Sequence, residues 1–201
     1  MMRRMTRDDQ PLDVLRRYLD ATRETVLWKV DGVAEYDARR PLTPTGTNLL
    51  GVVKHLASVE LGYMTLPFDR PLPVPLPWHA DDADPNDDLW LTAEETREEV
   101  LALYRRAGEE TARACAELGP EAVGAVPWWP PERREVTLHT LLVHLVAETA
   151  RHAGQLDVLR EGLDGAVGHR PASSNLPGDD YDWAAYRSRV EDAARRAAGT
   201  A

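Results

Sequence analysis

One cysteine, one phenylalanine and two lysines in 201 residues leave several kinds of chemistry without the parts they need. A lone Cys115 excludes an intrachain disulfide framework, a cysteine-based zinc finger and a dithiol redox pair, and fits a reducing, cytoplasmic setting. Set between Ala114 and Ala116 in a helical pattern, it reads as a packing residue. Basic charge is scarce: 24 Lys and Arg stand against 34 Asp and Glu, for a formal charge of −10. No basic stretch is interleaved with aromatics, which argues against a nucleic-acid partner. No apolar run approaches the ~20 residues that a membrane span needs. Residues 1–10 are polar and lack the apolar core of a secretory leader, so neither a leader nor a membrane association is expected. Strands are lacking as well, because no run alternates polar and apolar residues between turn signals.

What the chain has is helical periodicity, and its length suits one domain over residues 1–201. Behind Asp9 and Pro11, the spacing of Leu12, Leu15, Leu19, Thr22, Val26 and Val30 predicts a helix to about Asp31, stopped at Gly32. Residues 36–46, with Pro41 and Pro44, read as a connection. Thr47 or Asn48 caps a second helix to about Thr65, with Leu49, Val52, Val53, Leu56, Val59 and Tyr63 on its apolar side. His55 flanks that stripe, and Glu60, which lies on it, reads as a snorkelling or arginine-paired surface residue. Residues 66–91 hold six prolines and an acidic run at 81–88, which excludes helix interior and central strand. Trp78, His79 and Trp90 suggest that part of this long loop packs over the body.

Thr92 and Glu95 form a capping box for a third helix that ends at Gly119–Pro120. The following connection contains Trp128-Trp129-Pro130-Pro131, whose indoles either line a pocket or cover the core. Thr137 to Gly165 is the longest helical stretch, and a last helix is expected from about Tyr181 to Ala198. Four long helices with reversing connections outline an all-α, antiparallel four-helix bundle with an additional C-terminal helix.

Chemistry concentrates on the stretch from Thr137 to Gly165. Leu138, Leu141, Leu142, Leu145, Thr149, Leu156, Leu159 and Leu163 form a stripe, with His152 inside it and Glu148 one turn earlier near its edge. A carboxylate carried inward must be compensated. A buried hydrogen-bond network with neutral His, an ion pair with Arg, and a divalent metal all do so, and the spacing does not choose among them. Bundles place cofactors between facing helices, where His55 can join Glu148 and His152. One Glu and two His suit zinc, with nickel or iron as alternatives, and three ligands leave coordination positions open. His144 lies one turn before Glu148, but the helix rotates ~40° per four residues, so it is read as lying outside the ligand set.

Residues 49–60 (LLGVVKHLASVE), 143–155 (VHLVAETARHAGQ) and 159–165 (LREGLDG) resemble the DinB-like superfamily. Within it they are most similar to the actinobacterial branch of mycothiol S-transferases and mycothiol-dependent maleylpyruvate isomerase. The resemblance implies a metal-binding four-helix bundle with an extra helix. Its ligands would be His55, Glu148 and His152, the branch having His, Glu and His where many members have three histidines. Gln155 departs from members of that branch, which often have His there, and would alter a contact behind the ligands or the pocket wall. The resemblance further implies mycothiol as thiol co-substrate and a small electrophile as its acceptor, in detoxification, biosynthesis or thiol-dependent isomerisation. Arg151, Gln155 and Arg160 are then candidates for holding the thiol, with ion pairing as the other reading of the two arginines, and Trp78, Trp128 and Trp129 for shaping the electrophile pocket. A metal-dependent hydrolase and a non-catalytic metal-binding bundle are the alternatives, as a monomer or homodimer.

Overall fold

The computed structural model describes residues 10–80, 82–171, 173–174, 176–178 and 180–200. Asp9, the expected cap of the first helix, and Asp81, the start of the acidic run, lie outside them. The chain is predominantly helical: α1 Pro11–Val30, α2 Glu35–Arg39, α3 Leu49–Thr65, α4 Arg97–Leu118, α5 Leu138–Asp164 and α6 Trp183–Ala198. α3 packs most extensively on α4, and α1 on α5, with α3 also touching α5 and α1, and α1 touching α4.

Local chemistry sets most helix ends. Pro11 occupies the first turn of α1, where its missing N–H costs nothing. The Asn48 side chain accepts from the Gly51 N–H at 2.7 Å and starts α3. Thr137 caps α5, and Gly165, at φ +78°, ends it in a left-handed turn. Residues 36–46 are not wholly a connection, because the first of them belong to α2.

α4 begins later than its capping box at Thr92 and Glu95 implies. That pair does make the two reciprocal bonds, at 2.8 and 3.3 Å. However, Arg39 takes the carbonyls of Thr92 and Glu95 with its two Nη groups, at 2.9 and 2.7 Å, and Lys54 takes the Glu95 carboxylate at 2.8 Å. A second box four residues on, Thr96 with Glu99, starts the helix instead.

The expectation of no strand fails at one place. β1 Val123–Ala125 pairs antiparallel with β2 Glu135–Thr137, and each has only three residues, too short to show alternation. A Cβ at Gly124 would meet the Pro67 carbonyl at 2.7 Å, so glycine lets this hairpin lie against the 3₁₀ turn Leu66–Phe68.

α3 departs most from its expected amphipathic character. Every residue of it except His55 and Val59 is buried. Glu60 is buried too, correcting its reading as a surface residue: it joins Arg23 of α1 and Thr111 of α4 between two apolar clusters. On α5 the buried face runs through Thr149, Ala153, Leu156 and Arg160. Ala153, and not His152, therefore sits in the stripe, while Leu159 and Leu163 are only partly buried. Both lysines are buried clamps, Lys29 against Asp157 and Lys54 against Glu95.

Candidate metal centre

His55 is half-buried on α3, and Glu148 and His152 are half-buried one turn apart on α5. The contact between these helices brings them together. His152 Nε2 lies 3.0 Å from Glu148 Oε1, and His55 Nε2 lies 3.8 Å from the same oxygen. One donor atom from each residue falls within 4.8 Å of the other two, the one such grouping of three among the described residues. Four-coordinate zinc with ligands at ~2.0–2.2 Å keeps them ~3.3 Å apart, so the cluster is close to that spacing before any adjustment.

The far side of each ring is anchored. His55 Nδ1 is 2.7 Å from Asp88 Oδ2, and His152 Nδ1 is 2.8 Å from Gln155 Oε1. With an acceptor on each Nδ1, a neutral ring carries its proton there and turns the Nε2 lone pair toward Glu148. Two ring nitrogens and a carboxylate oxygen converge, with His152 Nε2 at hydrogen-bond distance from Glu148, an arrangement open to a cation and matching the outer hydrogen bonding of metal-bound histidines. Burial alone would lower the His55 pKa, but the hydrogen bond to Asp88 and the charges of Asp88 and Glu148 outweigh it and raise it above the ordinary imidazole value.

The other expected site residues divide. Gln155 orients His152. Arg151 is exposed on α5. Arg160 is buried and spends its guanidinium on Asp164 and on the Lys29 and Asp31 carbonyls at the end of α1, so its ion-pairing role is the one the structure uses. His144 stands apart from the cluster, edge-on to Tyr63 at 4.8 Å and to Trp129 at 5.6 Å.

The three tryptophans do not share one pocket. Trp129 packs into the core cluster of α5, with its indole N–H on the Tyr63 hydroxyl at 3.0 Å. Trp78 donates to Ser58 Oγ at 2.8 Å and lies 4.2 Å from Lys54 Nζ, lining a cleft of about 820 Å³ against α4. Trp128 lines a cleft of about 390 Å³ with Ser58, Val59, Gly62, Tyr63, Leu66 and His79. Ser58, Val59 and Gly62 follow His55 at helical spacing, which places this cleft on the same face of α3 as the cluster. On the other side, His152 and Gln155 border a cleft of about 590 Å³ that also includes Asn48, Val52, Asn86 and Trp90.

Asp88 and Tyr63 are the site residues that sequence reasoning misses. The acidic run of the loop signalled that a carboxylate was available, but not which one turns inward.

The sequence model of the family described as mycothiol-S-transferase matches residues 14–165. No curated protein matches the chain. The matched span takes in most of α1, all of α2 to α5, and His55, Glu148 and His152. Among the described residues, no helix is long and apolar enough to cross a membrane.

Proposed function

This chain belongs to the mycothiol-S-transferase family, and from that membership we propose that it is a metal-dependent S-transferase that joins a low-molecular-weight thiol, mycothiol, to a small electrophile. In this reading α1, α3, α4 and α5 are the four helices of a DinB-like bundle, residues 1–201 are one domain, and α6 is an addition to it. The observation that carries the metal dependence is the convergence of the His55 and His152 Nε2 atoms on one oxygen of Glu148, each ring held from behind by Asp88 or Gln155.

His55, Glu148 and His152 would hold a divalent cation, zinc first and nickel or iron as alternatives. Bound there, the cation supplies the Lewis acidity that keeps a thiol deprotonated near neutral pH. His55 and His152 would bring neutral nitrogens to that cation, and Glu148 one negative charge that offsets part of the cation's own. The chain offers no thiolate of its own, because burial pushes the Cys115 thiol up to about 11. The sulfur forms its bond to the electrophilic carbon, the leaving group departs with the bonding pair, and the thiol's proton passes to solvent.

The clefts divide the substrates. The aromatic cleft of Tyr63 and Trp128 suits an apolar electrophile, and the wider one beside His152, with the amides of Asn86 and Gln155, suits the polar remainder of the thiol. Arg39 borders that second cleft, but its donors are engaged by Glu35 and by the Thr92 and Glu95 carbonyls, so amides are left to recognise the ligand. Metal-stripped protein should form no conjugate from mycothiol and a model electrophile, and one equivalent of zinc should restore the reaction. Product formation by water alone, or equal activity without metal, would refute the reading.

A further inference from the structure

One edge of α3 is covered by a loop, and only His55 on it also reaches α5, at Glu148 and His152. Asn48, Gly51, Lys54, His55 and Ser58 share this edge, and each meets the proline-rich loop. Asn48 Nδ2 donates to the Leu89 carbonyl at 3.0 Å, and Lys54 Nζ donates to the Trp90 carbonyl at 3.0 Å. His55 Nδ1 meets Asp88 at 2.7 Å, and Ser58 Oγ accepts from Trp78 Nε1 at 2.8 Å. Gly51 contributes by having no side chain: a Cβ there would lie 1.8 Å from the Leu89 carbonyl oxygen. Loop residues 88, 89 and 90 are thus laid along about two turns at the start of α3, between Asn48 and His55. The neighbouring acids Asp84 and Asp87 are tied to the loop's own turn, through the N–H groups of Asn86 and Asp84.

We infer that Asp88 is a positioning residue for the metal-binding edge of His55, and that the close seat of the loop on Gly51 sets its reach. The inference rests on the reading of His55, Glu148 and His152 as metal ligands. An imidazole that is free to turn presents either nitrogen, or neither, to the cluster. A carboxylate 2.7 Å behind Nδ1 fixes both the ring plane and the tautomer, so that Nε2 faces Glu148. The dependence on Gly51 is steric. A methyl group at this position requires the Leu89 carbonyl to retreat by more than 1 Å, from 1.8 Å to beyond the 3.0 Å that real Cβ contacts respect. Asp88 is the next residue along the same backbone, so it moves with that carbonyl. The loop therefore does more than cover α3: it completes the metal site from outside the two helices that carry its ligands.

The test measures zinc affinity by competition with a chromophoric chelator for the wild type, Asp88→Ala, Asp88→Asn and Gly51→Ala. Circular dichroism of each metal-free protein checks its fold. Nitrogen NMR of the metal-free wild type and Asp88→Ala, at a pH where the His55 ring is neutral, reads its tautomer. Asp88→Ala should weaken zinc by about 10–100-fold. Asp88→Asn, which keeps an acceptor without the charge, should recover part of that loss. Gly51→Ala should weaken zinc comparably although it touches no ligand, and Asp88→Asn carries the test if that variant does not fold. The tautomer should be Nδ1-protonated in the wild type and mixed in Asp88→Ala. Unchanged zinc affinity in Asp88→Ala would overturn the inference while leaving the metal site standing. A wild type that binds no zinc would overturn the metal reading, and an unaltered tautomer in Asp88→Ala would then overturn the positioning of His55 as well.

Discussion

Glu60→Ala should be among the most destabilising single changes in this protein, although Glu60 lies outside the candidate metal centre. The Glu60 side chain is 2 % exposed, and its Oε1 accepts from the Arg23 guanidinium and the Thr111 hydroxyl. Truncating it leaves Arg23, itself only 10 % exposed, with Asp20 as its remaining ion-pair partner. Breaking a buried pair from one side costs about 3–5 kcal/mol, because a charge is stranded. Asp20 is half-exposed and retains part of the Arg23 interaction, which places the expected loss near the lower end, about 3 kcal/mol. Against a total stability of roughly 5–15 kcal/mol this is a large share. In urea, with a slope of about 2 kcal/mol per molar, the midpoint of the metal-free protein should fall by about 1.5 M. The pair also carries unsatisfied atoms: Glu60 Oε2 and Arg23 Nε make no hydrogen bond to a protein group, and neither does the nearby Tyr104 hydroxyl. Replacing both partners, as Arg23→Met with Glu60→Leu, should therefore restore most of the stability. A midpoint shift below about 0.3 M in Glu60→Ala, or a double variant as unstable as the single one, would refute this reasoning.

The raised pKa of His55 makes the metal-free and metal-bound proteins respond oppositely to pH. Its stabilising contribution is present in full below the ordinary value of 6.5 and is lost as pH rises through the higher folded value. Thermal melts should show that part of the metal-free protein's stability fading above pH 6.5, whereas zinc affinity falls as pH drops and protons compete for the ring. Trp128→Ala should raise KM for an apolar electrophile about tenfold, for a stacking loss of about 1.4 kcal/mol, and leave KM for the thiol unchanged in steady-state kinetics. Cys115→Ala should keep full conjugating activity, since its thiol, pushed up to about 11 by burial, is protonated near neutral pH.

The helices were legible where a few adjacent residues decide the structure. Asn48, Thr137 and Gly165 act within one turn of the ends they make, and their chemistry can be read without knowing what lies across the core. Glu148 and His152 were legible as a pair for the same reason, one helical turn bringing them together. Residues governed from a distance were not. The start of α4 is moved by Arg39 from 53 residues away, through the Thr92 carbonyl. Glu60 reads as a snorkelling or arginine-paired surface carboxylate; the pairing holds, but its burial depends on Arg23, 37 residues earlier, which nothing local identifies. Asp88 looked like one acid among several until the register of the loop against Gly51 put it behind His55. The strand pair escaped because three residues cannot display a period, and Gly124 serves a contact with Pro67 and not the strand itself.

Metal content tests the central claim most directly. The purified, untagged protein should be analysed by mass spectrometry beside the His55→Ala, Glu148→Ala and His152→Ala variants, each checked for fold. About one equivalent of zinc, nickel or iron in the wild type, lost in all three variants, is the result that the convergence on Glu148 predicts. A folded wild type that takes up no metal after reloading, or variants that retain a full equivalent, would contradict it and leave Glu148 and His152 as a hydrogen-bonded pair at the edge of α5.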